Sequence, residues 1–420
     1  MRKAAIVVAV VLLGGPAAAQ ERVTHTIAFE DAIERAVTSH PTVERASAGI
    51  LRAEAILQQV TALSRPALDA TLTTRTIGPV QEFAGAAINP RTQLTAGVNL
   101  AVPLLTPVRW AQRAQARDQV LVAQRGADDV RRAIAVAAAE AYLAVIAQRR
   151  VLELNARARE NAQAHYDYAH RRFEGGLGSR LNALRAQQEL SSVEAQVEEA
   201  RLGVQRAQEA LGVLVAADEP VDAATEPVFD LPASVEPGGM APDRPDVRLV
   251  LARRAAAERV VADAWRDRLP EVTAVVAPQL LQPTGLFAPA RSWSAAVLFS
   301  VPIFDGGSRS GLARERQALL TSIRAEQADL ERQARSEIRG AHDAVHATER
   351  ALVSARTAAG QAGEVLSITD LAFRTGATTN IEVIDAQRRA RDADTAAVIA
   401  EDAVRRARLE LLVALGRFPR

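Results

Sequence analysis

The sequence predicts a mainly α-helical protein with a membrane β portion, built from two similar halves. Two long windows without proline, 108–219 and 303–418, are rich in residues that favour helices. Several landmarks of the first half return in the second half in the same order, which indicates an internal duplication. Each half also contains two segments of about ten residues in which apolar and polar side chains alternate, as in membrane β-strands.

The composition supports long helices and excludes several kinds of site. The chain has 420 residues, with 51 Lys+Arg against 50 Asp+Glu, 4% aromatic residues and no cysteine. Alanine supplies about a fifth of it, and abundant small side chains with few aromatics favour closely packed helices over a large globular core. The lack of cysteine excludes disulfides, thiolate metal sites, Cys nucleophiles and a lipid-modified cysteine. The balanced charge removes the usual electrostatic argument for a nucleic-acid partner.

The N-terminal residues predict export. Arg2 and Lys3 precede the apolar run 4–13, which is followed by three alanines that end at residue 19. This order is typical of a secretory signal peptide, here residues 1–19, and the run is too short to span a bilayer. No other stretch reaches 18 apolar residues, so we expect no membrane-spanning helix in the mature chain.

The repeats define the predicted organisation. The tetrapeptide that begins at His40 returns at Arg244, and the one that begins at Phe173 returns at Phe373. The stretch between the two copies is rich in Pro, Asp, Glu and Gly and is predicted to be irregular. We therefore expect a first repeat at 20–218, a linker at 219–243 and a second repeat at 244–420.

Each proline-free window predicts one long helical hairpin. Each has a single break, at Gly175-Gly176 in the first window and at Thr375-Gly376 in the second. The hairpins are expected at about 107–215 and 308–416, with one arm of about 65 residues and one of about 37. The long arm would extend roughly 100 Å, far more than a globular domain needs.

The alternating segments predict two strands per half, at about 66–77, 92–102, 270–281 and 291–301. In the last of these, Trp293, Ala295, Val297 and Phe299 face away from the neighbouring serines. The pattern fits a strand of a membrane barrel and a soluble amphipathic hairpin equally well. The signal peptide and the long helices favour the membrane.

Four strands predict an oligomer. They cannot close a barrel, and open sheet edges do not survive in lipid. Two chains would give 8 strands, whose interior is just filled by side chains, whereas three would give about 12 and leave room for a conduit. A trimer is therefore expected.

This order of elements resembles the TolC-like outer-membrane efflux proteins, the outer membrane factors of tripartite efflux or type I secretion systems. The segment from Phe373 to Gln387 is similar to the family's aromatic-x-x-Gly-x-x-x-x-x-Asp-Val-x-Asp-Ala pattern, and the segment from Val301 to Gly307 to its exit from the barrel. The resemblance implies a homotrimer whose 12-stranded barrel, surrounded by outer-membrane lipid, continues into a periplasmic α-helical barrel. It also implies an exit duct without enzymatic activity, fed by an inner-membrane pump through a periplasmic adaptor, the membrane fusion protein.

The resemblance further implies acidic rings at the periplasmic pore entrance. Carried over to this chain, the acids are Glu382 and Asp385, three residues apart on one helical face. Three copies of each would favour cations and admit block by large cations. The alternative is a solvated helix face. The hairpin-tip turns and the adaptor contact fall, by the same resemblance, at Phe173, Gly176, Phe373, Gly376 and Thr378.

The gate of the family departs here from its usual pattern. The family pairs an Arg, two residues after the motif glycine, with an Asp of the first repeat, and this chain has Thr378 and Asn182 there. We therefore predict that closure uses other bonds, with Arg180 or Arg185 paired to one of the two entrance acids.

Other candidate sites are weaker. His342 and His346 have the spacing of metal ligands on a helix, but a solvated or intersubunit helix face explains them better. The glycine-rich segment that starts at Asp305 lacks the Gly-Lys-Ser/Thr of a phosphate loop and fits a turn. We predict no catalytic, cofactor or metal site. Two alternatives remain, a periplasmic coiled-coil adaptor or structural protein without a barrel, and a secreted enzyme on a helical scaffold.

Overall fold

The computed structural model of the protein describes residues 25–232 and 243–418. The predicted signal peptide lies outside the described residues, as does part of the predicted linker. The described chain is mainly helical, which confirms the helical part of the predicted fold class. Within it, no helix has both the length and the apolar character that crossing a membrane requires.

Each half contains, in chain order, helix, long antiparallel strands and a long helical hairpin, and in the first half a short strand precedes the helices. The first half and the segment after it contain β1 (His25–Ile27), α1 (Phe29–Ser39), α2 (Pro41–Ala62), β2 (Ala67–Thr76), β3 (Glu82–Phe83), β4 (Ala86–Ala87), β5 (Thr92–Leu105), α3 (Pro107–Glu174), α4 (Arg180–Leu214) and β6 (Val221–Ala223). The second half contains α5 (Pro245–Ala262), a 3₁₀ helix (Ala264–Arg268), β7 (Glu271–Gln282), β8 (Arg291–Ser300), α6 (Ser308–Arg374) and α7 (Asn380–Ala414).

The long helices form two antiparallel pairs, α3 with α4 and α6 with α7. Helix α3 has 68 residues and α6 has 67, whereas α4 and α7 have 35 each. A helix of that length extends about 100 Å. The seam of α4 that faces α3 is apolar at three- and four-residue spacing, and it buries Leu190, Val193, Val197, Val204 and Leu211.

The four long strands form one antiparallel sheet in the order β2-β5-β7-β8. Their register aligns one row of apolar residues across one face, namely Leu68, Leu100, Val276 and Ala295. A row on the opposite face is mainly polar and consists of Thr71, Gly97, Gln279 and Ser292. The outer edges of β2 and β8 pair with no other strand of the described chain.

The main core lies about halfway along α3, around Tyr142. This side chain is fully buried, and its hydroxyl lies 2.9 Å from the Thr225 carbonyl and 3.2 Å from the Ile27 carbonyl. Its ring packs edge-on against Phe29 at 5.3 Å between centroids. The core thus joins α3 to α1 and to the parallel pair β1–β6.

A buried arginine fixes the start of the second half. Arg244 directly precedes α5 and is only 3% exposed. Its guanidinium donates two hydrogen bonds to Asp246, at 2.7 and 3.1 Å, and one to Glu337 of α6 at 2.7 Å. It also reaches the Ala414 carbonyl, at the end of α7. Arg244 therefore connects three helices at one point.

Several short elements had no counterpart in the sequence prediction. They include α1 and the three-residue strands β1 and β6, and β6 lies in the 219–243 segment that was expected to be irregular. A three-residue strand is too short to show a period of two, and its partner here is almost 200 residues away.

Candidate functional site at the hairpin tips

The two hairpins end in turns of the same design. Gly176 has φ +72° and Gly376 has φ +83°, in the left-handed region that favours glycine. The turn closes with hydrogen bonds from the Leu177 amide to the Arg172 carbonyl at 2.8 Å and from the Ala377 amide to the Ala372 carbonyl at 2.7 Å. This pattern ends a helix sharply, so each tip places two helix ends side by side.

The aromatic residues of the two tips differ in exposure. Phe173 is 39% exposed, whereas its repeat partner Phe373 is 7% exposed. The centroid of the Phe373 ring lies 5.3 Å from the ring centroid of His165 and 5.6 Å from that of Tyr168, and both of these residues are on α3. Phe373 therefore packs the second tip against the first hairpin, and Phe173 stays on the surface.

A buried polar cluster joins the tips beside Phe373. Asn380, the first residue of α7, is 2% exposed, and His165 is 6% exposed. The Asn380 Nδ2 donates to the Asn182 carbonyl at 3.2 Å, which leaves its Oδ1 to accept from His165 Nε2 at 2.7 Å. Burial lowers the pKa of His165 and outweighs the bond to Asn380, so the imidazole is neutral at neutral pH.

An ion pair with a buried carboxylate lies farther from the tips, between the same hairpins. Glu189 on α4 is 3% exposed, and its carboxylate contacts Arg388 at 2.5 Å and Arg391 at 3.8 Å, both on α7. Arg388 follows Asn380 by eight residues, or about 12 Å along the helix. The first turns of α7 are thus held to the first hairpin at two levels.

The structure places the predicted entrance residues on the surface. Glu382 and Asp385 are exposed, and Asp385 pairs with Arg389 of its own helix at 3.0 Å. Arg180 and Arg185 are also exposed, and among the described residues neither forms an ion pair with the two acids. The predicted gate pairing is therefore not formed within a single described chain.

The structure also places the histidine pair and the glycine-rich segment that the sequence singled out. The rings of His342 and His346 contact each other at 4.7 Å between centroids. In the described part of the chain, no group of three or more His, Asp or Glu side chains is suited to hold a metal ion. Asp305 caps the start of α6, since its carboxylate accepts from the amides of Gly307 at 3.1 Å and Arg309 at 2.9 Å.

Sequence reasoning missed the residues that join the tips. His165 and Asn380 are 215 positions apart, and Glu189 lies 199 positions before Arg388, its nearer partner on α7. Each is polar at a place where helix periodicity expects an apolar residue, and that departure was the available signal.

The sequence profile of the outer membrane efflux proteins matches residues 32–217 and 241–417. No curated protein sequence gives a significant match. The profile match confirms the resemblance drawn from the sequence.

Several solved structures share the fold. The CmeC outer membrane channel of Campylobacter jejuni is 15% identical with a TM-score of 0.80, over 93% of this chain and 85% of that one. A membrane protein from Pseudomonas aeruginosa is 22% identical with a TM-score of 0.80, over 92% and 90% of the two chains. The outer membrane protein VceC of Vibrio cholerae is 20% identical with a TM-score of 0.77, over 92% and 96%.

The profile covers well over half of the sequence, and the fold agrees with it along nearly the whole chain. The protein therefore belongs to the outer membrane efflux protein family: it is an exit duct of the outer membrane that extends into the periplasm, and it is not an enzyme.

Proposed function

We propose that three copies of the chain close their sheets into one 12-stranded barrel, since three sheets of four strands give twelve. The observation that carries this proposal is the sheet with two open edges and one apolar face. In hydrocarbon each unpaired backbone group costs several kcal/mol, so an open edge is not tolerated. If β8 of one copy pairs with β2 of the next, every edge is satisfied. Three copies also leave a wider interior than two.

The helices support the same assembly. Both α6 and α4 carry apolar side chains that one chain leaves exposed. On α6 these include Val353, Val365, Ile368 and Leu371, and on α4 they include Leu181, Leu184, Leu202 and Val213. Rows of this kind on a periplasmic helix are typical of surfaces covered by a neighbouring subunit. We infer that the hairpins of three copies form a helical barrel below the membrane.

The two faces of the sheet then acquire different surroundings. The apolar row contacts lipid, and the row with Thr71, Gln279 and Ser292 lines the lumen. Gln279 Nε2 donates to Ser292 Oγ at 2.9 Å, which links these two side chains across neighbouring strands. A lumen lined by hydroxyl and amide groups suits passage of varied substrates, with selection left to the pump.

We propose that substrate reaches the duct from an inner-membrane pump through a periplasmic adaptor that contacts the hairpin tips. The exposed Phe173 and the turns at Gly176, Gly376 and Thr378 are the contact surface, and Phe373 supports it from inside. In this arrangement residues 20–218 and 244–420 are two similar units that each supply one hairpin.

Membrane fractionation tests the assembly directly. The mature protein is expected in the outer-membrane fraction, with a trimer-sized band in detergent that shifts to monomer on heating. Recovery in the soluble periplasm, or a monomer as the largest species in mild detergent, would refute the proposed barrel.

Replacing Val297 by Arg should reduce insertion into the outer membrane. Val297 is 67% exposed on the apolar face of β8, and a lipid-facing Arg near the bilayer midplane costs about 2–4 kcal/mol. Ser294→Arg, on the polar face of the same strand, is the matched control and should still insert. The readout is the amount of heat-modifiable trimer in outer membranes, and equal amounts for the two variants would count against the assigned faces.

The entrance acids should govern cation block. In a trimer Glu382 and Asp385 each form a ring of three carboxylates, so Glu382→Gln and Asp385→Asn should each weaken block by a bulky trivalent cation about tenfold. Glu364→Gln, an exposed acid farther from the tip on α6, is the control. The measurement is single-channel conductance against cation concentration. Unchanged block in both ring variants would assign the acids to a solvated face.

The same recordings test the predicted gate pairing between copies. If Arg180 or Arg185 of one chain pairs with an entrance acid of the next, reversal of that Arg to Glu should raise the resting conductance. Restoration by an acid-to-Arg reversal at Glu382 or Asp385 would identify the pair, and unchanged conductance in every single variant would exclude it.

A further inference from the structure

The two hairpin tips of one chain are joined by a cluster that has no equivalent in the other repeat. Phe173 and Phe373 set the repeat offset at 200 residues, so Arg180 corresponds to Asn380 and Val365 to His165. Arg180 is exposed and Val365 is 54% exposed, whereas Asn380 and His165 are buried. The cluster is therefore not repeated at the corresponding positions of the other repeat. It lies between α3 and α4 of the first hairpin and α7 of the second.

The Asn380 side chain forms hydrogen bonds with both helices of the first hairpin. Its amide donates to the Asn182 carbonyl on α4 and accepts from the His165 ring on α3. The His165 ring packs against the Phe373 ring, and the side chains of His165, Asn380 and Phe373 are all buried. Because a buried amide that loses its partners cannot be compensated by water, the tip of α7 has a defined resting position against the first hairpin.

We propose that Asn380, together with His165, is a latch that holds the second hairpin tip against the first and so sets the width of the periplasmic entrance. This inference rests on the proposal that the tips of three copies surround that entrance. The latch fixes the position of the second hairpin tip and does not contact substrate. The Glu189 ion pair with Arg388 and Arg391 is the deeper anchor, so release of the latch frees the tip while α7 stays attached.

The latch uses hydrogen bonds between uncharged groups. It therefore differs from the arginine–aspartate pair of the family's gate, which is replaced in this chain by Thr378 and Asn182. Asn182 contributes its backbone carbonyl, so its side chain is not required. A latch of this kind responds little to salt, because neither partner carries a full charge at neutral pH.

The test is single-channel conductance of purified trimers in planar bilayers, together with the susceptibility of producing cells to a large antibiotic that intact outer membranes exclude. His165→Leu should raise the open fraction about tenfold, as expected for loss of one buried hydrogen bond, and Asn380→Ala, which loses two, should raise it at least as much. The double variant should not exceed Asn380→Ala, because Asn380→Ala already removes the bond to His165 together with the bond to the Asn182 carbonyl.

The conservative variant separates a latch from a general packing role. His165→Gln keeps a nitrogen donor near the Nε2 position and should conduct like the parent, in contrast to His165→Leu. Thr379→Ala is the matched control, since Thr379 is exposed, adjacent to Asn380, and makes no side-chain capping bond within the described chain.

The outcomes separate this inference from the proposed assembly. Loss of the trimer-sized band in the parent protein would refute the barrel, whereas intact trimers with parent-like conductance in Asn380→Ala and His165→Leu would refute the latch alone. If Asn380→Ala yields no trimers, the His165→Leu and His165→Gln pair decides. Equal conductance of that pair would overturn the proposal.

Discussion

Replacement of Tyr142 by Ala should unfold the middle of the duct. Tyr142 is fully buried where α3 meets α1 and the β1–β6 pair, and loss of a buried aromatic side chain costs about 3–5 kcal/mol. The change also leaves the Ile27 and Thr225 carbonyls without their hydroxyl partner. We expect a large fall in the thermal unfolding temperature of the detergent-solubilised protein and faster proteolysis of the periplasmic region.

Two further variants separate the contributions at this position. Tyr142→Phe keeps the ring and removes the hydroxyl, so it should cost only about 1–2 kcal/mol. Leu177→Ala, at a residue that is 76% exposed on the first tip, should change stability little. Parent-like stability of Tyr142→Ala would mean that this core does not hold the middle of the duct together.

Replacement of Arg244 by Ala should destabilise the second half by about 3 kcal/mol. This value is the lower end of the range of free-energy costs for removing one partner of a buried ion pair. The lower end applies because Glu337 is 40% exposed, whereas Asp246 is 19% exposed. Arg248→Ala is the matched control, since Arg248 lies in the first turn of α5, forms an exposed pair with Asp243 and should contribute less than about 1 kcal/mol. Equal unfolding temperatures for the two variants would contradict the assigned role.

The same network predicts a response to acid. Burial by itself raises the pKa of Asp246, but the hydrogen bond and the charge of Arg244 outweigh it and set the pKa below its ordinary value of 3.8. Stability from this carboxylate is therefore complete above about pH 4 and is lost as the pH falls through the lower folded pKa. Unfolding temperatures measured down the acid range should show this loss in the parent protein and a smaller one in Arg244→Ala.

The sequence was informative where structure is periodic and local. The absence of proline across 108–219 and the glycine break near Gly176 suffice to indicate a long hairpin, because helix propensity and helix termination are local properties. Alternation in the strands likewise indicates one lipid-compatible face. The helical majority followed from these patterns, and the family followed from the resemblance that the order of elements and the segment from Phe373 to Gln387 carry.

The sequence was uninformative where residues far apart meet. The contact of His165 with Asn380 depends on how the two hairpins lie against each other, and no spacing along the chain encodes it. The buried position of Phe373 against the exposed position of Phe173 has the same origin, since the repeats match in sequence but pack differently. Asp385 was expected to line the pore entrance, and its bond to Arg389 follows from an i, i+4 spacing that the sequence already contained.

The length of α3 has a mechanical consequence. From the core at Tyr142 to its end at Glu174 the helix runs about 48 Å without interruption. A stiff rod held at one end works as a lever, so a rotation of about 10° at the core would carry the tip about 8 Å sideways. Small rotations at the core are thus amplified at the far end, and a force that a partner applies to the tip acts over a longer arm than the same force applied close to the core.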